Sequence, residues 1–167
     1  MKTNIKKLLL LLFLPAFLLC ASHSTLRNNK CDQYSEYSFV PDSMHLITND
    51  FEGVIFPKDF EYLKKENVHP TWTPNWKDIF LAETLMTEYA KNNLNCFYKD
   101  RIKYKRQYIG IEDSIIEVYL THEEMVVQTC NLRRFIIHID DGGCSVVHAK
   151  IDIRKRKCLE LIKNGEA

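Results

Sequence analysis

Histidine and carboxylate side chains gather around residues 138–148, which makes this stretch the first candidate for chemistry. The string HIDDGG spans residues 138–143, and His148 follows after a short apolar run. Imidazole and carboxylate groups at this spacing could bind a metal ion or exchange protons. The same string is also typical of a tight turn, because Asp and Gly tolerate the backbone conformations that turns require.

The apolar runs on either side of this string favour the turn. Residues 134–153 read RFIIHIDDGGCSVVHAKIDI, and we expect a β-hairpin whose loop is the Asp-Gly pair. In that register His138 and His148 lie on opposite faces, so they cannot easily share one metal ion. Both faces are apolar and should be covered, by residues 44–70, by a second molecule or by a ligand. We therefore expect no metal site and assign a structural turn to Asp141, Gly142 and Gly143.

A second candidate site centres on Glu117, which interrupts the apolar run IIEVYL. Alternation places Glu117 on the same strand face as Tyr119. If that face is the inner one, burial raises the pKa of Glu117, which is common for functional carboxylates. If it faces water, Glu117 is an ordinary surface residue. A ligand site in a hollow between a helix and a sheet could be lined by Tyr108, Glu117 and His148.

The strings that mark common catalytic and cofactor sites are absent from the sequence. It contains no Gly-x-Ser-x-Gly, no His-Glu-x-x-His, no phosphate-binding loop and no dinucleotide fingerprint. We therefore assign no catalytic residue and expect no cofactor. Lys and Arg number 23 against 22 Asp and Glu, so the chain also lacks the general basic surface that nucleic-acid binding requires.

The clearest predicted element is a helix over Trp76–Asn93, which contains no Gly or Pro. Thr73-Pro74 is typical of a helix start, with Thr as the N-cap and Pro in the first helical position. At about 100° per residue the polar stripe is narrow, so we expect most of the helix to be packed. The apolar side is predicted to comprise Trp76, Ile79, Phe80, Ala82, Met86 and Ala90.

After Cys96 the apolar period changes to two, which predicts strands. We expect strands at residues 101–109 and 115–120, the two strands of the hairpin, and a last strand at 159–162. A further short strand is expected around Val54–Phe56. Since no helix separates the strands that follow the long helix, we exclude a parallel βαβ unit. The predicted fold class is α+β, with one long helix packed on a curved antiparallel sheet of four to five strands.

Residues 1–22 have the pattern of a signal peptide. Lys2, Lys6 and Lys7 precede an apolar run over residues 8–19, which is too short to span a bilayer, and small residues follow. We expect export to the periplasm, the cell envelope or the medium, with cleavage after Ala21 or Ser22. Lipidation of Cys20 is the less favoured alternative, because Leu19 stands where a lipoprotein signal has a small residue. Residues 23–70 are expected to form a partly disordered extension, and residues 71–167 the folded domain.

The number of cysteines is compatible with export but does not determine how many disulfides form. Cleavage of the leader leaves five cysteines, which allows up to two bridges with one thiol left over, or none. The sequence does not determine which cysteines pair. It contains no Cys-x-x-Cys, so a zinc ribbon has no support.

Four segments together resemble a family of small exported bacterial proteins of unknown function. They are TWTPNWKDIFLAETLMTEYA, YKRQYIGI, IDDGGCSVV and NGEA, within residues 72–167. The resemblance implies a roll like those of cystatins or nuclear transport factor 2, but no activity. Cystatin inhibitors present Gln-x-Val-x-Gly, whereas residues 107–110 read QYIG with the Gly one position early. This difference counts against protease inhibition.

Two functions fit these observations. The first is an exported, non-catalytic interaction domain, inhibitor-like or immunity-like, that binds an unknown protein. The second is a small-ligand-binding or enzymatic roll with a pocket at Tyr108, Glu117 and His148. A homodimer through the hairpin face is compatible with both. We expect no nucleic-acid partner, and membrane contact only through an N-terminal lipid.

Overall fold

The computed structural model describes residues 44–60, 63, 68–126, 132–133, 136–137, 139 and 141–165. The predicted signal peptide and the extension up to residue 43, including Cys20, lie outside the described residues. So do His138 and Asp140. Within the described ranges, no helix is both long enough and apolar enough to cross a membrane.

The described chain builds one sheet of six strands, which lie in the same order in space as in the sequence. The two α-helices described lie between the second and third strands and are α1 (Trp76–Asn93) and α2 (Asn95–Asp100), the second continuing into a 3₁₀ turn at Arg101–Lys103. The strands are β1 (Met44–Ile47), β2 (Glu52–Phe56), β3 (Tyr104–Ile111), β4 (Ile115–His122), β5 (Val146–Asp152) and β6 (Lys157–Lys163).

The sheet is mixed, so the expected antiparallel sheet of four to five strands under one long helix is wrong. Strands β2 and β3 are parallel, with Val54 opposite Gln107, and all other neighbours are antiparallel. The expectation of an antiparallel sheet rested on the strands that follow the helix, and β2 precedes it. The strand expected around Val54–Phe56 is β2, and α1 lies in the connection from it to β3. Parallel neighbours need such a crossover, because the chain must return from the end of one strand to the opposite end of the sheet, where the next strand begins.

Strand β5 has a neighbour on each side, which overturns the expected hairpin at residues 134–153. It pairs with β4 through Tyr119 and His148, and with β6 through Ala149 and Leu161. Both of its hydrogen-bonding edges are therefore occupied, and the run before the Asp-Gly pair cannot join it. A turn does precede β5, because Asp141 and Gly143 adopt left-handed φ angles of 59° and 52°.

Each face of the sheet has its own apolar core. On one face α1 packs against the sheet, with Ile79 and Met86 fully buried among residues such as Val118 and Ala149. We call this the helix side, and the opposite face the far side. The far-side core is formed by Val54, Phe56, Phe60, Leu63, Ile109, Leu132 and Ile136. Segments of the chain's own connections therefore cover this part of the far side.

The bounds predicted for α1 are confirmed, but its N-cap is not Thr73. The side chain of Asn75 accepts hydrogen bonds from the backbone N–H groups of Lys77 and Asp78. The Asp78 carboxylate accepts one in return from the backbone N–H of Asn75, at 2.9 Å. This capping box fixes the first turn of the helix and places Trp76 at its first position.

A disulfide between Cys96 and Cys144 links the start of α2 to the 3₁₀ turn that precedes β5. The hydroxyl of Tyr104 donates a hydrogen bond to the backbone carbonyl of Cys144, at the same junction. The third described cysteine, Cys158, is a buried free thiol whose pKa burial raises to about 11. The disulfide therefore fixes the end of the long β4–β5 connection against the helical layer.

Replacing both bridged cysteines should cost substantial stability. The bridge joins residues 48 positions apart, and closing a loop of that length stabilises a fold by about 4 kcal/mol in the chain-entropy model. We expect C96S/C144S to lower the free energy of unfolding by about that amount in urea titrations. A double variant as stable as the wild type would show that this bridge does not form in the native protein.

Candidate functional site

The three residues predicted to line a ligand site do not share one face of the sheet. Tyr108 lies opposite Val118 on the helix side and is fully buried. Glu117 lies opposite Ile109 and Lys150 on the far side. The structure thus brings Glu117 and His148 together but places the sheet between them and Tyr108.

Tyr108 belongs to a buried network that joins α1 to β3. Its hydroxyl donates a hydrogen bond to Oε1 of Glu83 at 2.8 Å, and Nε of Arg106 donates to the same oxygen at 3.0 Å. The Glu83 residue is 8% exposed and Arg106 is 1% exposed. Burial, followed by the negative charge of Glu83, raises the pKa of Tyr108 well above its usual value.

The remaining donors of Arg106 are also engaged. Its two terminal nitrogens donate to the backbone carbonyls of Tyr104 and Arg101, and the guanidinium lies 5.2 Å from the centroid of the Phe51 ring. A buried charge is tolerated only when it is paired and hydrogen-bonded in this way. This network therefore has a structural role: it fixes the position of α1 on the sheet.

Glu117 and His148 form a second polar cluster, on the far side of β4 and β5. Nε2 of His148 lies 2.9 Å from Oε1 of Glu117, and Nζ of Lys150 lies 3.8 Å from the same oxygen. Burial raises the pKa of Glu117, but the hydrogen bond from His148 and the charges of His148 and Lys150 outweigh it and hold that pKa below its usual value of 4.5. An ionised carboxylate only accepts hydrogen bonds, so Nε2 carries the hydrogen.

This cluster is partly accessible to solvent. The side chain of His148 is 24% exposed and that of Glu117 is 12% exposed. Burial and the neighbouring Glu117 carboxylate raise the pKa of the Tyr119 hydroxyl. The centroids of the Tyr119 ring and the His148 imidazole lie 4.9 Å apart. The pair can orient an imidazole and exchange a proton. In the part of the chain that is described, no three His, Cys, Asp or Glu side chains are arranged to hold a metal ion.

Two neighbouring aromatic side chains at the start of α1 face solvent. Trp76 is 56% exposed and Phe80 is 45% exposed, and their rings meet edge to face with centroids 6.0 Å apart. The Phe80 ring also packs edge to face against the buried ring of Phe51, with centroids 5.7 Å apart. We call Trp76 and Phe80 the α1 aromatic patch. Its rings are held in place by neighbours, although they face solvent.

The sequence prediction placed both patch residues on the packed side of the helix, and this was wrong. The buried positions of α1 are Ile79, Ala82, Glu83, Met86 and Ala90. At about 100° per residue Phe80 lies about 100° from Ile79, at the rim of the buried face. Glu83 lies about 40° from Ile79 and Trp76 about 60° from it in the same direction, so the helical period alone does not separate the exposed Trp76 from the buried positions.

The string QYIG at residues 107–110 lies in the interior of the sheet rather than in a loop. The Gln107 side chain donates to the carbonyl of Leu132 and accepts from the N–H of Ile137. Trp72 packs directly on Gly110, where an added Cβ would meet the Trp72 carbonyl oxygen at 2.4 Å. This string therefore cannot enter a protease cleft as the inhibitory hairpin of cystatins does.

Comparison of the chain with family models, with curated proteins and with solved structures gave no match.

Loss of the charge on Glu83 should strongly destabilise the fold. We expect E83Q to lower the free energy of unfolding by about 3 kcal/mol, because it leaves the Arg106 guanidinium buried without its counter-ion. The matched control is E88Q, an exposed position of the same helix, which should stay within about 0.5 kcal/mol of the wild type. Equal effects of the two variants in urea titrations would contradict the structural role of the pair.

The hydrogen-bonded pair of Glu117 and His148 should make part of the free energy of unfolding depend on acidic pH. Since the pKa of folded Glu117 lies below 4.5, its contribution is present above that pH and is lost as the pH falls through the folded pKa. We expect E117Q to lose about 1 kcal/mol at pH 7 and to show a shallower decline of stability from about pH 5 to pH 3.

The control for E117Q is E160Q. Its carboxylate is partly exposed and lies 4.0 Å from Nζ of Lys150, the lysine that also lies near Glu117. Its stability should follow the wild-type pH profile closely. If E117Q retains the full acid-dependent loss, the hydrogen bond between Glu117 and His148 does not hold the carboxylate ionised.

Proposed function

We propose that this chain is an exported binding domain that acts through the α1 aromatic patch rather than through catalysis. One observation carries the proposal: two large aromatic side chains, Trp76 and Phe80, face solvent side by side at the start of α1. The polar side chains best suited to chemistry are paired within the fold, Glu83 with Arg106 and Tyr108, and Glu117 with His148. Trp is among the residues that contribute most binding energy in protein interfaces.

Export rests on the leader-like pattern of residues 1–22 and is supported by the disulfide between Cys96 and Cys144. Disulfides persist in oxidising compartments and are rare in the cytosol. Cleavage after Ala21 or Ser22 and lipidation of Cys20 remain the two forms of this proposal. Either form would place the folded domain outside the cytoplasm, where the bridge is maintained.

The alternative of a ligand pocket between helix and sheet gains no support from the geometry. Its three residues are divided between the two faces of the sheet, and Tyr108 is enclosed with Glu83 and Arg106. Glu117 and His148 could still exchange a proton at the surface. Nothing in their surroundings favours a particular substrate, so we do not propose an activity for them.

Truncation of the α1 aromatic patch should weaken retention of the protein on cell envelopes. We expect W76A/F80A, expressed as the full chain, to show at least about tenfold weaker retention on isolated cell envelopes, since two anchoring rings are lost. The control is I162A, which truncates an apolar side chain on β6 that is 49% exposed. W76A/F80A should lose about 1–2 kcal/mol of stability, because Phe80 packs on Phe51, but both variants should still unfold in one cooperative transition in urea.

Retention that is equal in W76A/F80A, I162A and the wild type would overturn the proposal. A folded patch variant is recognised by its intact far-ultraviolet circular dichroism and by an unreactive, bridged Cys96. A loss of retention therefore counts in favour only where both criteria are met.

A further inference from the structure

We propose that the α1 aromatic patch docks on the interfacial region of a lipid bilayer, with Trp76 and Phe80 inserted at headgroup level. This inference rests on the proposed binding function and names the partner of that surface. Trp is enriched at membrane–water interfaces, because its ring is apolar and its N–H is polar. Two exposed rings at the end of a helix fit shallow insertion.

The size of the patch favours a bilayer over a protein partner. At 56% and 45% exposure, the two residues expose roughly 200 Å² in total, taking 150–250 Å² for a whole aromatic side chain. A stable protein interface buries about 800 Å² on each partner. The helix positions around the rings are polar and exposed, namely Asn75, Lys77 and Thr84. The patch is therefore too small for a stable dimer, whereas interfacial insertion requires only the rings themselves.

The charges around the patch indicate which bilayers it should bind. Nζ of Lys77 lies 5.6 Å from the centroid of the Trp76 ring, and Lys58 lies nearby, since its N–H donates to the Thr73 hydroxyl. These two cations are balanced by Asp78, in the first turn of α1, and by Asp50, which precedes Phe51 in the sequence. Without a net positive charge, docking should depend on ring insertion and only weakly on anionic lipid.

Quenching of Trp76 by brominated lipid tests the proposal in the full chain. The chain has two tryptophans, Trp72 and Trp76, and bromine on the acyl chains quenches only a ring that enters the bilayer. With phosphatidylcholine vesicles we expect bromine-dependent quenching in the wild type. It should disappear in W76F, which keeps an apolar ring but leaves only Trp72 as reporter. It should persist in I162A.

Binding of the leader alone cannot imitate this result, because it brings no tryptophan into the bilayer. Adding phosphatidylglycerol to the vesicles should change the quenching less than twofold. Vesicle-bound wild type without quenching, equal quenching in W76F, or quenching that requires anionic lipid would each overturn the proposal. If quenching fails while retention on envelopes still depends on Trp76 and Phe80, the lipid assignment falls and the binding function stands. If both fail, both proposals fall.

Discussion

The buried ion pair between Glu83 and Arg106 is the interaction on which the rest of this structure depends. A charge in the helix–sheet layer must meet its partner, so the pair fixes the rotation and the height of α1 over β3. The Tyr108 hydroxyl donates a hydrogen bond to the same carboxylate, and the backbone carbonyls of Arg101 and Tyr104 accept hydrogen bonds from the guanidinium. Phe80 lies about 100° from the buried Ile79 around the helix, beyond the buried positions, and Trp76 is the first residue of α1.

The sequence predicted the elements of the fold better than their pairing. The bounds of α1 follow from a long run without Gly or Pro, and β4 from the alternation in IIEVYL. The parallel pairing of β2 with β3 could not be predicted from the sequence, because a short apolar run such as Val54–Phe56 does not indicate the direction in which a strand pairs. The expected hairpin failed for a related reason. An Asp-Gly turn between apolar runs does not exclude a competing partner, and β4 and β6 occupy both edges of β5.

The candidate site was predictable only in part. Glu117 and His148 lie on neighbouring strands in a register that joins them, but Tyr108 faces the other way, since the parity of a strand position fixes its face. The role of Glu83 lies in tertiary structure, because its partner Arg106 is 23 residues away. Neither residue type nor helical period alone reveals the exposure of Trp76 and Phe80, because Trp76 lies only about 20° around the helix from the buried Glu83.

Binding through the α1 aromatic patch, the function that we propose, can be tested with a photo-crosslinker in the living cell. Benzoylphenylalanine replaces Phe80 in one variant and Ile162, an equally exposed residue on β6, in another. We expect adducts from position 80, to lipid or to protein, and essentially none from position 162. Adducts from position 162 alone, or from neither position in a folded, disulfide-bonded protein, would show that the patch is not the binding surface.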